Sequence, residues 1–255
     1  MSWSLKRQLT IIIGFVIIVV VPLIFFIVKK INEIEPSCYD GIQNQDELGV
    51  DCGGECSLLC ASQVKDLAVL WKQAFHVTEN IYNIVVYTYN ANLDAGAKNV
   101  QYAIRAIDNQ GRELFVREGL IDIVPNRSIP IFISGVRLLS SDVRVEFNLL
   151  SKPRWQRQKS SDQVLQVQNI ESNISYDGLY SITANIINNN PRPIYDLPVL
   201  VILYDDKNSA IHSSRTIIPV LDSYSTVPVF FTWPERLPSN PIRVEVVPIY
   251  FELAE

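Results

Sequence analysis

Histidine is scarce in this chain, and cysteine is absent outside one short segment. The two histidines are His76 and His212, and all four cysteines lie between Cys38 and Cys60. The sequence contains no G-x-S-x-G, no H-E-x-x-H and no glycine-rich phosphate loop, which excludes the common serine hydrolase, zinc protease and nucleotide-binding motifs. Nucleophilic catalysis needs a base beside the nucleophile. Because neither histidine lies in such a motif and we expect them in different domains, the sequence predicts a protein that is not an enzyme.

Acidic residues are missing before Glu33, although the chain as a whole has a formal net charge of −5. The part of the chain after residue 30 is therefore mildly acidic and has no broad basic field. Such a field is the electrostatic footprint of nucleic-acid binding, so nucleic acid is not expected as a partner.

One long uncharged run extends over residues 9–28 and reads LTIIIGFVIIVVVPLIFFIV. A helix of this length spans the hydrocarbon core of a bilayer, which is roughly 30 Å thick. A cleaved signal peptide is the alternative, but its apolar region usually has about 7–15 residues and ends in small side chains. The sequence therefore predicts an uncleaved transmembrane helix over 9–28. Basic residues flank both ends of the run, so charge alone does not decide its direction.

A cysteine-rich module is predicted over residues 36–60, with the spacing C-x13-C-x3-C-x3-C. The segment has no apolar periodicity, and so short a segment needs covalent or metal staples. Zinc sites favour C-x2-C pairs, which are absent here. We expect two disulfides, with three pairings open, among Cys38, Cys52, Cys56 and Cys60. Disulfides persist in oxidising compartments, so we place residues 1–8 in the cytoplasm and everything after the helix outside it, at the cell membrane.

The module also holds hard oxygen donors in glycine-rich turns, which is the ligand chemistry that calcium prefers. Their spacing differs from that of an EF-hand, and such residues also cap turns in the absence of a metal. Calcium is therefore the one cofactor that the sequence leaves open, with these candidate ligands: Asp40, Asn44, Asp46, Glu47 and Asp51.

The stretch CYDGIQNQDELGVDCGGEC resembles the C-x-DG-x-x-N-x-x-E-x-G-x-DCGG-x-C signature of short cysteine-rich modules in bacterial secreted and membrane-anchored proteins. The resemblance covers residues 38–60. It departs from the pattern at Cys56-Ser-Leu-Leu-Cys60, where a shorter final spacing is commoner. It implies a location just outside a membrane helix, and no reaction is attached to it.

The remainder of the chain contains an internal repeat, in which four blocks recur in the same order. The matched pairs are 82–90 with 180–188, 100–114 with 197–211, 129–132 with 227–230, and 143–147 with 242–246. Apolar and polar residues alternate within the blocks, which is typical of half-buried antiparallel strands. We therefore predict a mainly β protein with two tandem immunoglobulin-like β-sandwich domains, over 64–150 and 164–255.

Neither copy contains cysteine, so each core must form by packing alone. Five aromatic side chains are expected to fill the cores: Trp71, Tyr82, Phe132, Phe230 and Trp233. Between the copies, residues 151–163 (SKPRWQRQKSSDQ) are polar and are predicted to be a solvated linker. Four cations around Trp155 leave contact with an anionic polymer as the alternative.

In the second copy, Val201-Ile202-Leu203-Tyr204-Asp205 resembles the L-Y-D part of FxLYD-type bacterial sandwich domains, with Val201 in place of the phenylalanine. The first copy has Ala106-Ile107-Asp108 at this place, which is a weaker match. The resemblance implies a binding or spacer domain outside the membrane.

These observations favour a membrane-anchored, extracytoplasmic interaction or scaffold protein. Its expected partners are the bilayer, through 9–28, and an unknown protein or envelope polymer. Two alternatives stay open: a calcium-binding stalk or sensor, and an accessory subunit of an envelope-assembly or secretion enzyme complex. Exposed loops commonly carry binding residues, and the candidates lie at one end of both copies: Asn90, Asp94, Lys98, Asn188 and Arg192.

Overall fold

The computed structural model describes residues 3–31, 37–140, 142–158 and 165–250. The chain divides into two compact units, residues 1–56 and residues 57–255. The first unit contains the apolar helix and most of the cysteine-rich module, and the second contains all of the described β-strands.

The apolar helix begins as α1 (Trp3–Phe15), passes through a π-helical segment (Val16–Val20) and continues as α2 (Val21–Ile31). The stretch Ile11–Lys30 is long and apolar enough to cross a membrane, and none of its apolar window is buried against protein. By length and composition this helix fits either a membrane anchor or a signal sequence. The prediction of one long apolar helix near the N-terminus is confirmed.

The π-helical segment lies directly before Pro22, whose ring carries no N–H group. An α-helix at this point would leave the carbonyl of Ile18 without a donor and in contact with the ring. The N–H of Val21 instead donates to the carbonyl of Val16, five residues earlier. The wider π turn therefore accommodates the proline without ending the helix.

Over the described residues of the module, 37–60, there is no regular strand, and tight turns and disulfides hold the segment together. One disulfide joins Cys38 to Cys56, with a Cα–Cα distance of 5.6 Å. Cys52 and Cys60 are disulfide-bonded as well. The prediction of two disulfides is confirmed, and the first bond answers the question of pairing that the spacing left open.

Seven strands, called here the first β half, follow the module and a short 3₁₀ helix (Ala61–Gln63). They are β1 (Ala68–Thr78), β2 (Ile81–Asn90), β3 (Ala95–Asp108), β4 (Glu113–Ile123), β5 (Arg127–Arg137), β6 (Val143–Leu149) and β7 (Gln156–Arg157). One antiparallel sheet has the order β1-β2-β5, and the other has the order β4-β3-β6 with β7 paired to β3.

Six more strands form the second β half. They are β8 (Leu165–Ile174), β9 (Tyr180–Asn188), β10 (Ile194–Tyr204), β11 (Ala210–Leu221), β12 (Thr226–Thr232) and β13 (Arg243–Pro248). Their sheets have the orders β8-β9-β12 and β11-β10-β13. This is the strand order of the first half, element for element, apart from the two-residue β7.

Each half has its own apolar core between its two sheets. In the first core, Ile84 of β2 packs with Ile104 of β3 and Ile129 of β5. In the second, Ile182 of β9 packs with Val201 of β10 and with other buried apolar side chains. Because side chains alternate between the faces of a strand, the predicted period of two is what produces these cores.

A third apolar cluster joins the two halves, and it is called the junction cluster here. It contains the outward-facing residues of sheet β1-β2-β5 packed against those of sheet β11-β10-β13. Its buried members are Phe75, Val85, Tyr87, Leu200, Ile202, Tyr204 and Ala210. Strands β2 and β10 are therefore buried on both faces, which explains why they are nearly continuous apolar runs.

Two of the five expected core aromatics, Tyr82 and Trp233, lie in the cores. Trp71 and Phe132 instead pack against the junction cluster. The expectation for Phe230 is wrong, because this side chain is 64% exposed while its neighbour Phe231 is 2% exposed. On β12, Phe231 lies opposite core residue Ile182, so the alternation turns Phe230 to the outer face.

The linker predicted over 151–163 is corrected at its centre. Trp155 is 6% exposed and belongs to the first core. The next two residues form β7, which pairs with Ala95 and Gly96 of β3. Residues 159–163 lie outside the described residues. A solvated chain therefore does not describe 155–157, since a buried tryptophan fixes the backbone there.

The junction cluster predicts that truncating two isoleucines to alanine has very different effects on the unfolding free energy. Truncating a fully buried isoleucine to alanine costs about 2–5 kcal/mol of unfolding free energy, and Ile202 is 0% exposed. We expect a loss in that range for Ile202→Ala, measured by guanidinium unfolding of the full chain in detergent micelles. The control Ile170→Ala, at a position 43% exposed on β8, should change stability by less than about 0.5 kcal/mol. Equal losses for the two variants would contradict the buried junction.

Candidate functional site at the junction of the two β halves

The acidic residues of the module bind its own backbone. The carboxylate of Asp51 accepts the N–H of Gly41 at 3.0 and 3.1 Å. Asp40 accepts the N–H of Ile42 at 2.9 Å and the side-chain amide of Asn44 at 2.7 Å. These hydrogen bonds lower the pKa of Asp40 below its usual value, the largest effect coming from the N–H of Ser37. The arrangement is that of carboxylates that cap turns.

Glu47 is the buried acid of the module, with 8% of its surface exposed. One of its oxygens accepts the N–H groups of Asn44 and Asp51, and the other lies 3.2 Å from the Sγ atom of Cys56. Glu47, Cys38 and Cys56 lie close enough together to suggest a metal site. Their sulfur atoms are joined in a disulfide, so they are not available as thiolate ligands. Calcium binding through this module, including through the exposed Asp46, stays a prediction.

The two asparagines predicted to contact a partner are buried structural residues, which corrects that prediction. Asn90 is 0% exposed, and its side-chain amide donates to the carbonyls of Ala95 at 2.7 Å and Val124 at 2.8 Å. Asn188 is 0% exposed and donates to the carbonyls of Leu221 and Asp222 at 3.2 and 2.9 Å. Each asparagine ties its own loop to the turn that crosses it. Asp94, Lys98 and Arg192 are exposed, and partner binding through them stays a prediction.

The two histidines, expected in different domains, meet at the junction. The Nε2 atom of His212 on β11 lies 2.7 Å from the carbonyl oxygen of His76 on β1. The ring of His212 also stacks on Phe75, with 6.0 Å between the centroids. The equivalent blocks of the repeat gave no signal for this contact, because the two histidines occupy different positions in their copies.

Trp233 fixes the protonation state of His212. The indole Nε1–H of Trp233 donates to Nδ1 of His212 at 2.8 Å, and indole is a donor only. Nδ1 therefore carries a lone pair, and the single proton of the neutral ring lies on Nε2 and is donated to His76. Both ring nitrogens are committed, so His212 has none left to act as a general base. Burial lowers the pKa of His212 below its ordinary value.

A small cavity of about 170 Å³ opens beside these histidines. Nδ1 of His76 lies 3.8 Å from the carboxylate of Glu235, and His76 donates through Nε2 to the carbonyl of Glu79 at 2.8 Å. Both His76 and Glu235 are about half exposed. An exposed pair of this kind contributes little to stability, and the exposure of both side chains places the cavity at the edge of the junction.

A second polar group crosses the junction on the carboxylate of Glu245. Tyr87 of the first half donates its hydroxyl to one oxygen at 2.5 Å, and Tyr204 of the second half donates to the other at 2.8 Å. Burial, and then the hydrogen bond to Glu245, raise the pKa of both tyrosines well above the usual value of 10. The guanidinium of Arg243 lies 3.5 Å from the ring centroid of Tyr204.

This carboxylate group was not expected from the sequence. Tyr204 was noted only for its resemblance to the L-Y-D motif, and Glu245 and Arg243 only for their alternation along a strand. The sequence does hold a signal for the junction in β2 and β10. On the face turned away from each core, where polar residues are expected, these strands carry Val85, Tyr87, Leu200 and Ile202. The group positions two sheets relative to each other, and it presents neither a nucleophile nor an open coordination site.

The protonation state of His212 predicts a pH dependence of stability. The pKa of His212 is lower in the folded chain than the unfolded value of 6.5, so the unfolded chain binds the extra proton first. The contribution of neutral His212 is therefore complete above about pH 6.5 and is lost as the pH falls through the folded pKa. We expect the unfolding free energy of the full chain to fall between pH 7.5 and pH 5, measured by urea titration.

His212→Gln should flatten this part of the profile relative to the unchanged chain, and the matched variant His76→Gln should retain it. Profiles of the same slope for the unchanged chain and for His212→Gln would exclude His212 as the origin of the effect.

The buried asparagines predict which substitutions near these loops lower the stability of the fold. Asn90→Ala removes the donor for two buried carbonyls, and an unsatisfied buried polar group costs about 1–3 kcal/mol. We expect a loss of at least that size in thermal or denaturant unfolding. Lys98→Ala, on an exposed side chain of the neighbouring strand, should change stability by less than about 0.5 kcal/mol. A neutral Asn90→Ala would show that the amide does not hold the loop.

Comparison with known proteins gives no assignment. No family model matches the chain, and no curated protein matches it. Among solved structures, the chain is similar to red sea bream transglutaminase, at 14% identity over 70% of this chain, with a TM-score of 0.23. It is also similar to a beta-glucuronidase of Bacteroides uniformis, at 12% identity over 63% of this chain, with a TM-score of 0.21.

A third similar structure is a GH2 beta-galacturonidase from Eisenbergiella tayi, at 11% identity over 69% of this chain, with a TM-score of 0.22. The chain spans only 29%, 23% and 37% of the lengths of these three proteins. Likeness at such TM-scores carries no argument about the fold or the activity of this chain.

Proposed function

We propose that this chain is a membrane-anchored, extracytoplasmic scaffold that displays two tandem immunoglobulin-like β-sandwich domains as one rigid body and has no catalytic activity. The junction cluster is the observation that carries the proposal. It buries Val85 and Tyr87 against Leu200 and Ile202, and hydrogen bonds of Tyr87 and His212 cross the same surface. Domains joined by a large apolar interface do not reorient freely, which suits a scaffold that holds a partner at a fixed distance.

Tandem sandwiches are supported by the equal strand order of the two halves and by one shared detail. Asn90 and Asn188 occupy matching positions in the repeat. In each copy the asparagine side chain accepts the N–H two residues later, at 3.1 Å in the first copy and 2.9 Å in the second, and donates to a crossing turn. Duplication of one ancestral unit is the simplest source of two buried asparagines with the same bonds.

The anchor and the location rest on the helix and the disulfides together. A helix with its apolar surface exposed throughout is stable in lipid and not in water, because burial from water is the dominant favourable term. The disulfide-bonded module follows it after a few residues, and disulfides are rare in the cytoplasm. These two features favour an uncleaved anchor with the β halves on the oxidising side.

The sheet faces that lie away from the junction indicate that the stack ends after two repeats and that no further repeat packs on either side. In the repeat, Arg105 of β3 stands where Ile202 stands in β10. Likewise Thr183 and Asn185 of β9 stand where Val85 and Tyr87 stand in β2. The polar equivalents cap both ends of the stack, as terminal repeats do in stacked repeat proteins.

The orientation is tested by thiol labelling in intact cells. With an impermeant maleimide, we expect labelling of the module cysteines only after treatment with an impermeant reductant, because all four are held in disulfides. The variant Ser4→Cys should be labelled only after the membrane is permeabilised. Labelling of Ser4→Cys in intact cells, or of the module without reductant, would overturn the proposed topology.

The scaffold role itself is tested by photo-crosslinking of the full chain in native membranes, with the crosslinker at Leu93. This residue is 71% exposed in the loop next to Asp94. We expect one specific protein or envelope polymer to be captured there and not from Ile170 on β8. Capture of this chain alone would favour a homomeric spacer and contradict the display of a partner.

A further inference from the structure

A cleft of about 350 Å³ lies where the first β half meets the second. One wall comes from the adjoining ends of β4 and β5 in the first half, including Leu120 and Phe132. The other comes from Pro198, Arg215 and Ile249 of the second half. Small-molecule sites typically have volumes of about 300–1,000 Å³, so this cleft is large enough for a compact ligand. It exists only because the junction cluster holds the two halves together.

The cleft has an apolar floor and an apolar rim. Ile129 and Ile131 line it where it meets the first core, and they are 1% and 7% exposed. Leu120 at the rim is 61% exposed, and no function in the junction accounts for it. A ligand that displaces water from an apolar concavity of this kind binds more tightly, because apolar surface is removed from water.

The cleft also carries one available cation. The guanidinium of Arg215 lies 5.2 Å from the ring centroid of Phe132, which orients it over an aromatic wall. Among the described residues, no carboxylate forms an ion pair with Arg215, although five other basic side chains have such partners. Its planar fork of N–H donors matches the two oxygens of a carboxylate.

Asp122 sets a limit on what the cleft accepts. One of its oxygens accepts the N–H of Asn99 at 2.7 Å, which holds the carboxylate at the cleft wall. A ligand with a second negative charge there would be repelled, since like charges in a partly desolvated site oppose each other. The site therefore favours one anionic group beside an apolar body.

We propose that this cleft binds a small amphiphilic anion, a molecule with a compact apolar or aromatic body and a single carboxylate. The carboxylate pairs with the guanidinium of Arg215. The apolar body rests on Leu120, Phe132 and Ile249. This binding activity is independent of the scaffold role and does not require the chain to be anchored.

The test uses three ligands that share one body and differ only in head-group charge: 3-phenylpropionate, 3-phenylpropanol and 3-phenylpropylammonium. The full chain is placed in lipid nanodiscs, and binding is measured by isothermal titration against empty nanodiscs. We expect 3-phenylpropionate to bind about 10-fold or more tightly than the other two, because a charge-assisted hydrogen bond strengthens binding by about that factor. Equal binding of all three ligands, or binding of none, overturns the proposal.

Two pairs of variants localise the site. Arg215→Gln should remove the preference for the anion, while Arg137→Gln, on an exposed arginine at the last residue of β5 and outside the cleft, should retain it. Leu120→Ser should weaken binding of all three ligands, while Val116→Ser, on an exposed valine of the same strand, should not. Unchanged unfolding midpoints confirm that each variant is folded, since all four side chains are exposed. Unchanged anion preference in Arg215→Gln sinks the assignment even if the ligand binds.

Discussion

The packing of sheet β1-β2-β5 against sheet β11-β10-β13 is the contact on which the other features of the β region depend. It buries Val85 and Ile202, both 0% exposed, on faces that would otherwise meet water. It brings His76 to His212 and Tyr87 to Glu245, and it creates the cleft beside Phe132. Without it, the two β halves would be separate and none of these groups would meet.

Apolar burial and directional bonds have different parts in this contact. Apolar surfaces attract without preferring one register, so Leu200 and Phe75 could pack in several offsets. The hydroxyl of Tyr87 must reach the carboxylate of Glu245 across the junction, and His212 must reach the carbonyl of His76. An offset that broke these bonds would leave buried polar groups unsatisfied, which is costly in a low-dielectric interior. We infer that burial supplies the stability and the polar groups select the alignment.

The predictable parts of the fold are those that follow from local sequence patterns. Alternation along the strands predicted the sheets, the uncharged run predicted the helix, and the even cysteine count predicted two disulfides. The errors arose where the burial of one side chain differs from that of its neighbours in the sequence. Trp155 is a buried residue in a charged segment, and Asn90 is a buried residue in a polar loop. Phe230 was placed by its type, whereas its parity along β12 decides its face. The junction is nonlocal, because a strand that is apolar on both faces does not say which sheet will cover it.

The burial of β2 on both faces also has a consequence during synthesis of the chain. The first half is synthesised about a hundred residues ahead of its cover, and domains fold as units during synthesis. Until β10, β11 and β13 emerge, the face that carries Phe75, Val85 and Tyr87 stays in contact with water. A folded first half is thus a transient species with an exposed apolar sheet face. This face stays exposed until the second half has been synthesised and has folded against it. Arrest of synthesis or cleavage after Trp155 would leave that face permanently exposed to contact with other chains.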